Sequence, residues 1–307
     1  MLECFLTYKK RITMDNINLK FYEVDEDWLP FVEIRFKGMD SKIYSALMLM
    51  DSGSNINSLA EEMRVLIGKS DWVADLSEVV NVANETKGVP CAKFGFEMDG
   101  QPFQEEFAFQ GQHLMQIDDM IFVGVLGNTF MQKHHLAIDY SNLTVHTSNM
   151  TLDKLKNTNS SFIIPMEYGL KYYNVPILKI RGKESDAILV VDTGCDNFSI
   201  SQKALEECGL AYKLTGNVHP VEGPNGSVEA KECVFEFSLI DISCNEVDKY
   251  MHQAIAEVLP NSIVTDEGEC DDEGTPLSPI DGMIGSPFMA RQKWIIDFGV
   301  KALFKFE

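Results

Sequence analysis

Three blocks of this chain occur twice in the same order, and that duplication limits the possible folds more than any other feature of the sequence. Leu29-Pro30-Phe31-Val32-Glu33-Ile34-Arg35 is answered by Val175-Pro176-Ile177-Leu178-Lys179-Ile180-Arg181. Met50-Asp51-Ser52-Gly53-Ser54 is answered 141 positions on, from 51 to 192, by Val191-Asp192-Thr193-Gly194-Cys195. The same offset carries Ser58-Leu59-Ala60-Glu61 onto Ser199-Ile200-Ser201-Gln202, which predicts a recurring S-x-x-E/Q helix cap. The third pair lies 158 positions apart, from 127 to 285. Val125-Leu126-Gly127, Phe130-Met131 and Ala137-Ile138-Asp139-Tyr140 match Met283-Ile284-Gly285, Phe288-Met289 and Ile295-Ile296-Asp297-Phe298. A half-sized unit has been duplicated, with the polar, turn-rich stretch Thr151 to Ser161 as connector.

Each half reads mainly as short strands. In the first they fall at Asn18 to Val24, Phe31 to Phe36, Ser45 to Met50 and Lys93 to Met98, the last after a turn over Asn84 to Gly88. Helices are predicted at Leu59 to Ile67 and Gln202 to Cys208, with single turns at Phe130 to His134 and Phe288 to Arg291. The expectation is an all-β, internally duplicated protein of two lobes, 1–155 and 156–307. Asn245 to Ile280 reads as an insertion in the second half without a counterpart in the first. Its acidic stretch from Asp266 to Glu273 reads as a solvated loop.

At 307 residues, each half is long enough to bury its own core. The formal charge of -21, from 47 acidic and 26 basic residues, repels phosphate backbones and anionic lipid, so neither a nucleic-acid nor a membrane partner is expected. The longest apolar runs are far too short to span a bilayer. The opening MLECFLTYKKRITMDN places its apolar patch ahead of its lysines, the reverse of a secretory signal. Seven cysteines without a CxxC pair argue against a disulfide framework, and a cytoplasmic setting is expected. No metal or cofactor is expected. The six histidines are scattered, His134-His135 is the one adjacent pair, and HExxH, GxxxxGK[ST] and GxGxxG are all absent.

The paired aspartates carry the chemistry. Asp51 and Asp192 each end an apolar strand and precede a hydroxyl residue and a glycine, which lets the backbone turn sharply and present the carboxylate. If the halves face each other about a pseudo-two-fold axis, the two carboxylates meet, cannot both ionise, and share one proton. Such a pair can activate water without metal or covalent intermediate. One carboxylate takes a proton from the water, and the protonated partner polarises a peptide carbonyl.

On these residues the chain resembles the aspartic proteases, specifically the retropepsin-like group whose unit is a half-sized β lobe. The resemblance covers nearly the whole chain and implies bilobed, closed-barrel architecture in a single, pepsin-like monomer. It implies Asp51 and Asp192 as the catalytic pair, Ser52 and Thr193 as hydroxyls bonding across to the opposite loop, and Gly53 and Gly194 as keeping the loops tight. Ser54 and Cys195 complete the loops, and Gly127 and Gly285 brace them. It also implies flaps over the substrate. Ala83 to Pro90 matches the first, with Thr86, Lys87 and Gly88 near its tip. Val221 to Val228 matches the second, with Gly223, Pro224, Asn225 and Gly226. Cys195 departs from the Ser, Thr or Ala usual at its position and reads as an inert thiol. Asp139 and Asp297 read as structural turn residues.

The implied activity is endopeptidase cleavage of an extended polypeptide, its backbone paired with the flaps in β fashion. The alternative is a peptide- or protein-binding module that keeps the fold without cleaving.

Overall fold

In the computed structural model, residues 17–22, 28–67, 72–80, 86–109, 113–168, 174–223, 226–240, 251–259 and 280–306 are described. After β1 (Asn18–Lys20), the first half runs β2 (Phe31–Lys37), β3 (Ile43–Asp51), β4 (Ser58–Leu59), a 3₁₀ turn (Glu61–Val65), β5 (Trp72–Val80), β6 (Thr86–Met98), β7 (Gln101–Phe109), β8 (Met115–Ile117) and β9 (Met120–Gly127). It ends with α1 (Asn128–Lys133), β10 (Leu136–Asp139) and β11 (Thr144–Thr147). The linker holds α2 (Leu152–Lys156) and leads into β12 (Ser160–Pro165). The second half follows with β13 (Ile177–Arg181), β14 (Asp186–Asp192), β15 (Phe198–Ser201), α3 (Gln202–Glu207), β16 (Tyr212–Gly223), β17 (Gly226–Leu239) and β18 (Met251–Leu259). It closes with β19 (Gly282–Gly285), α4 (Ser286–Gln292), β20 (Ile295–Asp297) and β21 (Ala302–Phe306).

The two halves have the same strand order. In the first it is β2-β3-β9-β4-β7-β6-β5, closed by β2 pairing with β6; in the second it is β13-β14-β19-β15-β18-β17-β16, closed by β13 pairing with β17. The all-β, bilobed, duplicated closed-barrel architecture expected from the sequence is therefore the one observed. Binary patterning explains the local choices. In β2, Val32, Ile34 and Phe36 are buried while Glu33, Arg35 and Lys37 are exposed, the alternation of a strand with one face on a core. In β3 the run Ala46 to Met50 is buried without interruption. Ala46, Met48 and Met50 join the main core, and Leu47 and Leu49 join a second cluster with Phe31 and Phe122 on the opposite face.

A third, six-stranded sheet, β1-β11-β10-β20-β21-β12, joins the halves. At its centre β10 and β20 run antiparallel, with Ala137 opposite Asp297, Ile138 opposite Ile296 and Asp139 opposite Ile295. The repeat exchanges the pair Ala137/Asp297 with the pair Ile295/Asp139 and maps Ile138/Ile296 onto itself, the register of a two-fold axis passing between Ile138 and Ile296. Asp139 and Asp297 cap the turns that follow. Asp139 Oδ1 accepts from Ser141 N at 2.8 Å, and Asp297 Oδ1 accepts from Gly299 N at 2.9 Å.

Several sequence expectations require correction. The stretch 245–280 is not wholly an insertion. Its β18 runs parallel to β15 and antiparallel to β17, as β7 runs parallel to β4 and antiparallel to β6. The segment predicted as a helix from Leu59 to Ile67 is strand at Ser58–Leu59 and then only a 3₁₀ turn. The cap does not fall on Ser58 and Ser199. It is Ser201 Oγ that accepts from Ala204 N, at 3.0 Å, and its repeat-mate is Ala60, which has no side-chain acceptor. The turn read over Asn84 to Gly88 is strand from Thr86 on, where Thr86, Lys87 and Gly88 pair with Val80, Val79 and Glu78. The connector contains α2, capped by Thr151 Oγ1 and anchored by the buried Leu155. The acidic stretch from Asp266 to Glu273, residues 81–85, Pro224 and Asn225 lie outside the described residues. Among the described residues, no helix is long and apolar enough to cross a membrane.

Candidate active site

Asp51 is the last residue of β3 and Asp192 the last of β14. Each lies in parallel register beside the closing glycine of the neighbouring strand, Asp51 by Gly127 and Asp192 by Gly285. Glycine is required there because the loop after each aspartate folds back over it. A Cβ on Gly127 would stand 2.4 Å from Ile56 O, and one on Gly285 2.0 Å from Asn197 O. Those are backbone atoms, which cannot swing aside as a side chain can. Three residues earlier on the same strands, a Cβ on Gly124 would stand 2.2 Å from Ser58 O and one on Gly282 2.3 Å from Ser199 O.

The two loops are tied together by four hydrogen bonds related by the repeat. Ser52 Oγ donates to Val191 O at 2.5 Å and accepts from Thr193 N at 3.0 Å. Thr193 Oγ1 donates to Met50 O at 2.5 Å and accepts from Ser52 N at 2.9 Å. Ser52 and Thr193 are both fully buried, so each bond is made away from competing water. With the loops locked in this way, each carboxyl rests against the other loop's glycine. A Cβ on Gly53 would lie 2.4 Å from Asp192 Oδ2, and one on Gly194 2.6 Å from Asp51 Cγ. Asp51 and Asp192 thus lie close enough across the seam for each to shift the other's protonation.

Electrostatically the pair is poised to hold a proton. Both carboxyls keep a solvent-facing edge and are otherwise enclosed by protein. Burial, then the charge of Asp192, holds the Asp51 carboxyl well above the usual carboxylate range; burial also raises Asp192, against the N–H of Gly194 that favours its charged form. Asp192 Oδ1 accepts from Gly194 N at 2.9 Å, and Asp51 Oδ1 accepts from Ser54 N at 3.1 Å. A single proton between two such groups belongs to the pair.

The remaining loop residues serve the backbone. Ser54 Oγ donates to Ile56 O at 2.9 Å. The Cys195 thiol points at Asn197 Oδ1, 3.0 Å away, and burial pushes its pKa up, which leaves a neutral and unreactive sulfur. Thr86, Lys87 and Gly88 begin β6 of the β5–β6 hairpin, and Gly226 pairs with Gly223 at the head of the β16–β17 hairpin. The two hairpins occupy the same place in the two barrels.

Sequence reading missed four residues that support the loops. Asn57 Oδ1 accepts from Gly127 N at 3.0 Å, and Asn128 Nδ2 donates to Ser54 O at 3.0 Å. Ser286 Oγ donates to Thr193 O at 2.7 Å, and the buried Tyr140 hydroxyl bonds Ser286 Oγ. Asn128 and Ser286 directly follow the repeated glycines, a signal that was available in the alignment of the halves. Elsewhere, His134 is engaged by Glu105 at 2.8 Å, and among the described residues no cluster of His, Cys, Asp or Glu is placed to hold a metal ion.

No protein-family model matches the chain, and no curated protein matches it. Among solved structures, the crystal structure of the aspartic proteinase from Irpex lacteus is similar at 12% identity and a TM-score of 0.48, covering 94% of this chain and 96% of that one.

Proposed function

We propose that the chain is an aspartic endopeptidase built from two lobes, 1–155 and 156–307, with Asp51 and Asp192 as its catalytic pair. The observation that carries this reading is the four-bond lock between Ser52 and Thr193, which sets each carboxyl against the opposite loop's glycine. Nothing in a binding module requires two buried acids to be held together at the electrostatic cost their raised pKa values record.

The chemistry follows from one shared proton. A water held between the carboxyls gives a proton to the ionised carboxylate as its oxygen attacks the peptide carbon. The protonated partner donates its hydrogen bond to the carbonyl oxygen and stabilises the charge that develops there. The tetrahedral intermediate collapses when the leaving nitrogen receives a proton from the pair, which breaks the C–N bond and restores the shared-proton state. The substrate is an extended polypeptide between the β5–β6 and β16–β17 hairpins, with Thr86, Lys87, Gly88, Pro224, Asn225 and Gly226 contributing to its binding. Both acids come from one chain, so the active unit is a monomer. The free thiols of Cys195, Cys208 and Cys233 suit a reducing compartment such as the cytoplasm.

The test is cleavage of a diverse peptide library between pH 3 and 8 by the wild type and by Asp192→Asn, read by mass spectrometry. Cuts by the wild type, absent with the folded variant, are the expected result. Peptides retained by both proteins and cut by neither would overturn the enzyme reading in favour of a non-cleaving binding module.

A further inference from the structure

The two catalytic loops are related by the repeat, yet the peptide unit behind Asp192 is held differently from the one behind Asp51. Gly194 N–H donates to Asp192 Oδ1 at 2.9 Å, and the carbonyl of that same peptide unit, Thr193 O, accepts from Ser286 Oγ at 2.7 Å. Ser286 has one hydroxyl proton, committed to Thr193 O, so in its short contact with Tyr140 it can only accept. The result is a directed chain: Tyr140 O–H to Ser286 O–H to the Thr193–Gly194 peptide to the Asp192 carboxylate. It crosses the seam, since Tyr140 follows β10 of the first half and the other members belong to the second.

Among the described residues, the first half has no such chain. The repeat-mate of Tyr140 is Phe298, which has no hydroxyl, and that of Ser286 is Asn128, whose amide donates instead to Ser54 O at 3.0 Å. Consecutive hydrogen bonds polarise one another in a low-dielectric interior, and all members of this chain are buried or half-buried. Burial raises the Tyr140 phenol, so it remains a donor throughout the acid and neutral range.

We propose that Tyr140 and Ser286 are positioning residues that polarise the Thr193–Gly194 peptide toward Asp192 and so make Asp192 the ionised member of the pair and Asp51 the proton carrier. No proton travels along the chain; it only stabilises the charge at its end. The inference rests on the reading of Asp51 and Asp192 as a working pair. The other groups facing Asp192 are Asp51 from β3, the Gly53 N–H from the opposite loop and the Cys195 loop of its own half, with Asp196 and Glu257 beyond the thiol. None of these changes in the variants below.

The sign is specific. The chain stabilises every state in which Asp192 is charged, both the mono-anion and the di-anion. Its loss therefore raises the first ionisation of the pair and leaves the second in place.

The test is a carboxyl titration by NMR on aspartate-labelled protein, with wild type beside Tyr140→Phe and Ser286→Ala. Tyr140→Phe removes one oxygen without opening a cavity and carries the test alone if Ser286→Ala fails to fold. In the wild type, Asp192 is expected to ionise first. Its midpoint should rise by roughly 0.1–0.6 pH unit in Tyr140→Phe, from cooperative strengthening of one charge-assisted bond, and by more in Ser286→Ala. In peptide cleavage the acid limb should move up by the same amount while the alkaline limb stays. Asp51 ionising first, an unmoved first step in Tyr140→Phe, or both steps moving together would each overturn the inference. If the wild type cuts no peptide, the proposed activity fails while the carboxyl titration still decides this point.

Discussion

Replacing Thr193 by valine keeps the shape of a fully buried side chain and removes only its oxygen. That oxygen serves two backbone groups of the opposite loop, accepting from Ser52 N at 2.9 Å and donating to Met50 O at 2.5 Å. Neither group can reach water when the loops stay closed. At about 1–3 kcal/mol for each unsatisfied buried group, Thr193→Val should cost roughly 2–6 kcal/mol, a large part of the ~5–15 kcal/mol that holds a typical domain together. Thr193→Ser keeps the oxygen, loses one methyl, and should cost only about 1 kcal/mol. The assay is urea unfolding followed by tryptophan fluorescence, for which Trp294, fully buried where the core meets the inter-lobe sheet, is a natural reporter. A valine variant within about 0.5 kcal/mol of the wild type would refute the claim that these hydroxyls hold the halves in register. So would a serine variant as unstable as the valine one.

Two further outcomes follow from the same geometry. Gly194→Ala would bring a methyl to 2.6 Å from Asp51 Cγ, and because the displaced atoms are the end of a side chain, the unfolding midpoint should barely move. Displacing that carboxyl by about 1 Å should lower kcat/KM by roughly 10²-fold, and loss of stability without loss of turnover would contradict the assignment. Asp51 holds its proton longer in the folded chain than its ordinary value of 3.8 allows, so its contribution to stability is present below that value and is lost as pH rises through the raised one. Asp51→Asn cannot ionise. Its melting temperature should therefore exceed that of the wild type at pH 7, by a margin that shrinks toward pH 3. Parallel melting curves across that range would count against the buried charge.

Much of the site was legible because a duplicated sequence can be aligned to itself. Asp51 with Asp192, Ser52 with Thr193 and Gly127 with Gly285 all fall at constant offsets, and their strands differ little in length. The β7 and β18 pair was not legible, since the connection from the preceding hairpin is 99–100 in the first half and 240–250 in the second, which breaks the offset and leaves only the alternation of Phe103 and Phe107 against Ala254, Ala256 and Val258. The missing helix after β4 turns on one residue, Ala60 where the second half has the capping Ser201. Helix propensity alone does not carry that difference. The bond between Tyr140 and Ser286 was hidden for the opposite reason, although the place of Ser286 after the repeated glycine could be seen. Their repeat-mates are Phe298 and Asn128, so a search for what the halves share passes over the place where they differ.

The central pairing of the inter-lobe sheet sets a clock on synthesis. One edge of β10 is covered at once by β11, but the other finds its partner only in β20, where Ala137 waits for Asp297, 160 residues further along the chain. At about 5–20 residues per second, a nascent first half would present that apolar edge unpaired for roughly 8–32 s, the interval in which a chaperone or a neighbouring nascent chain could reach it.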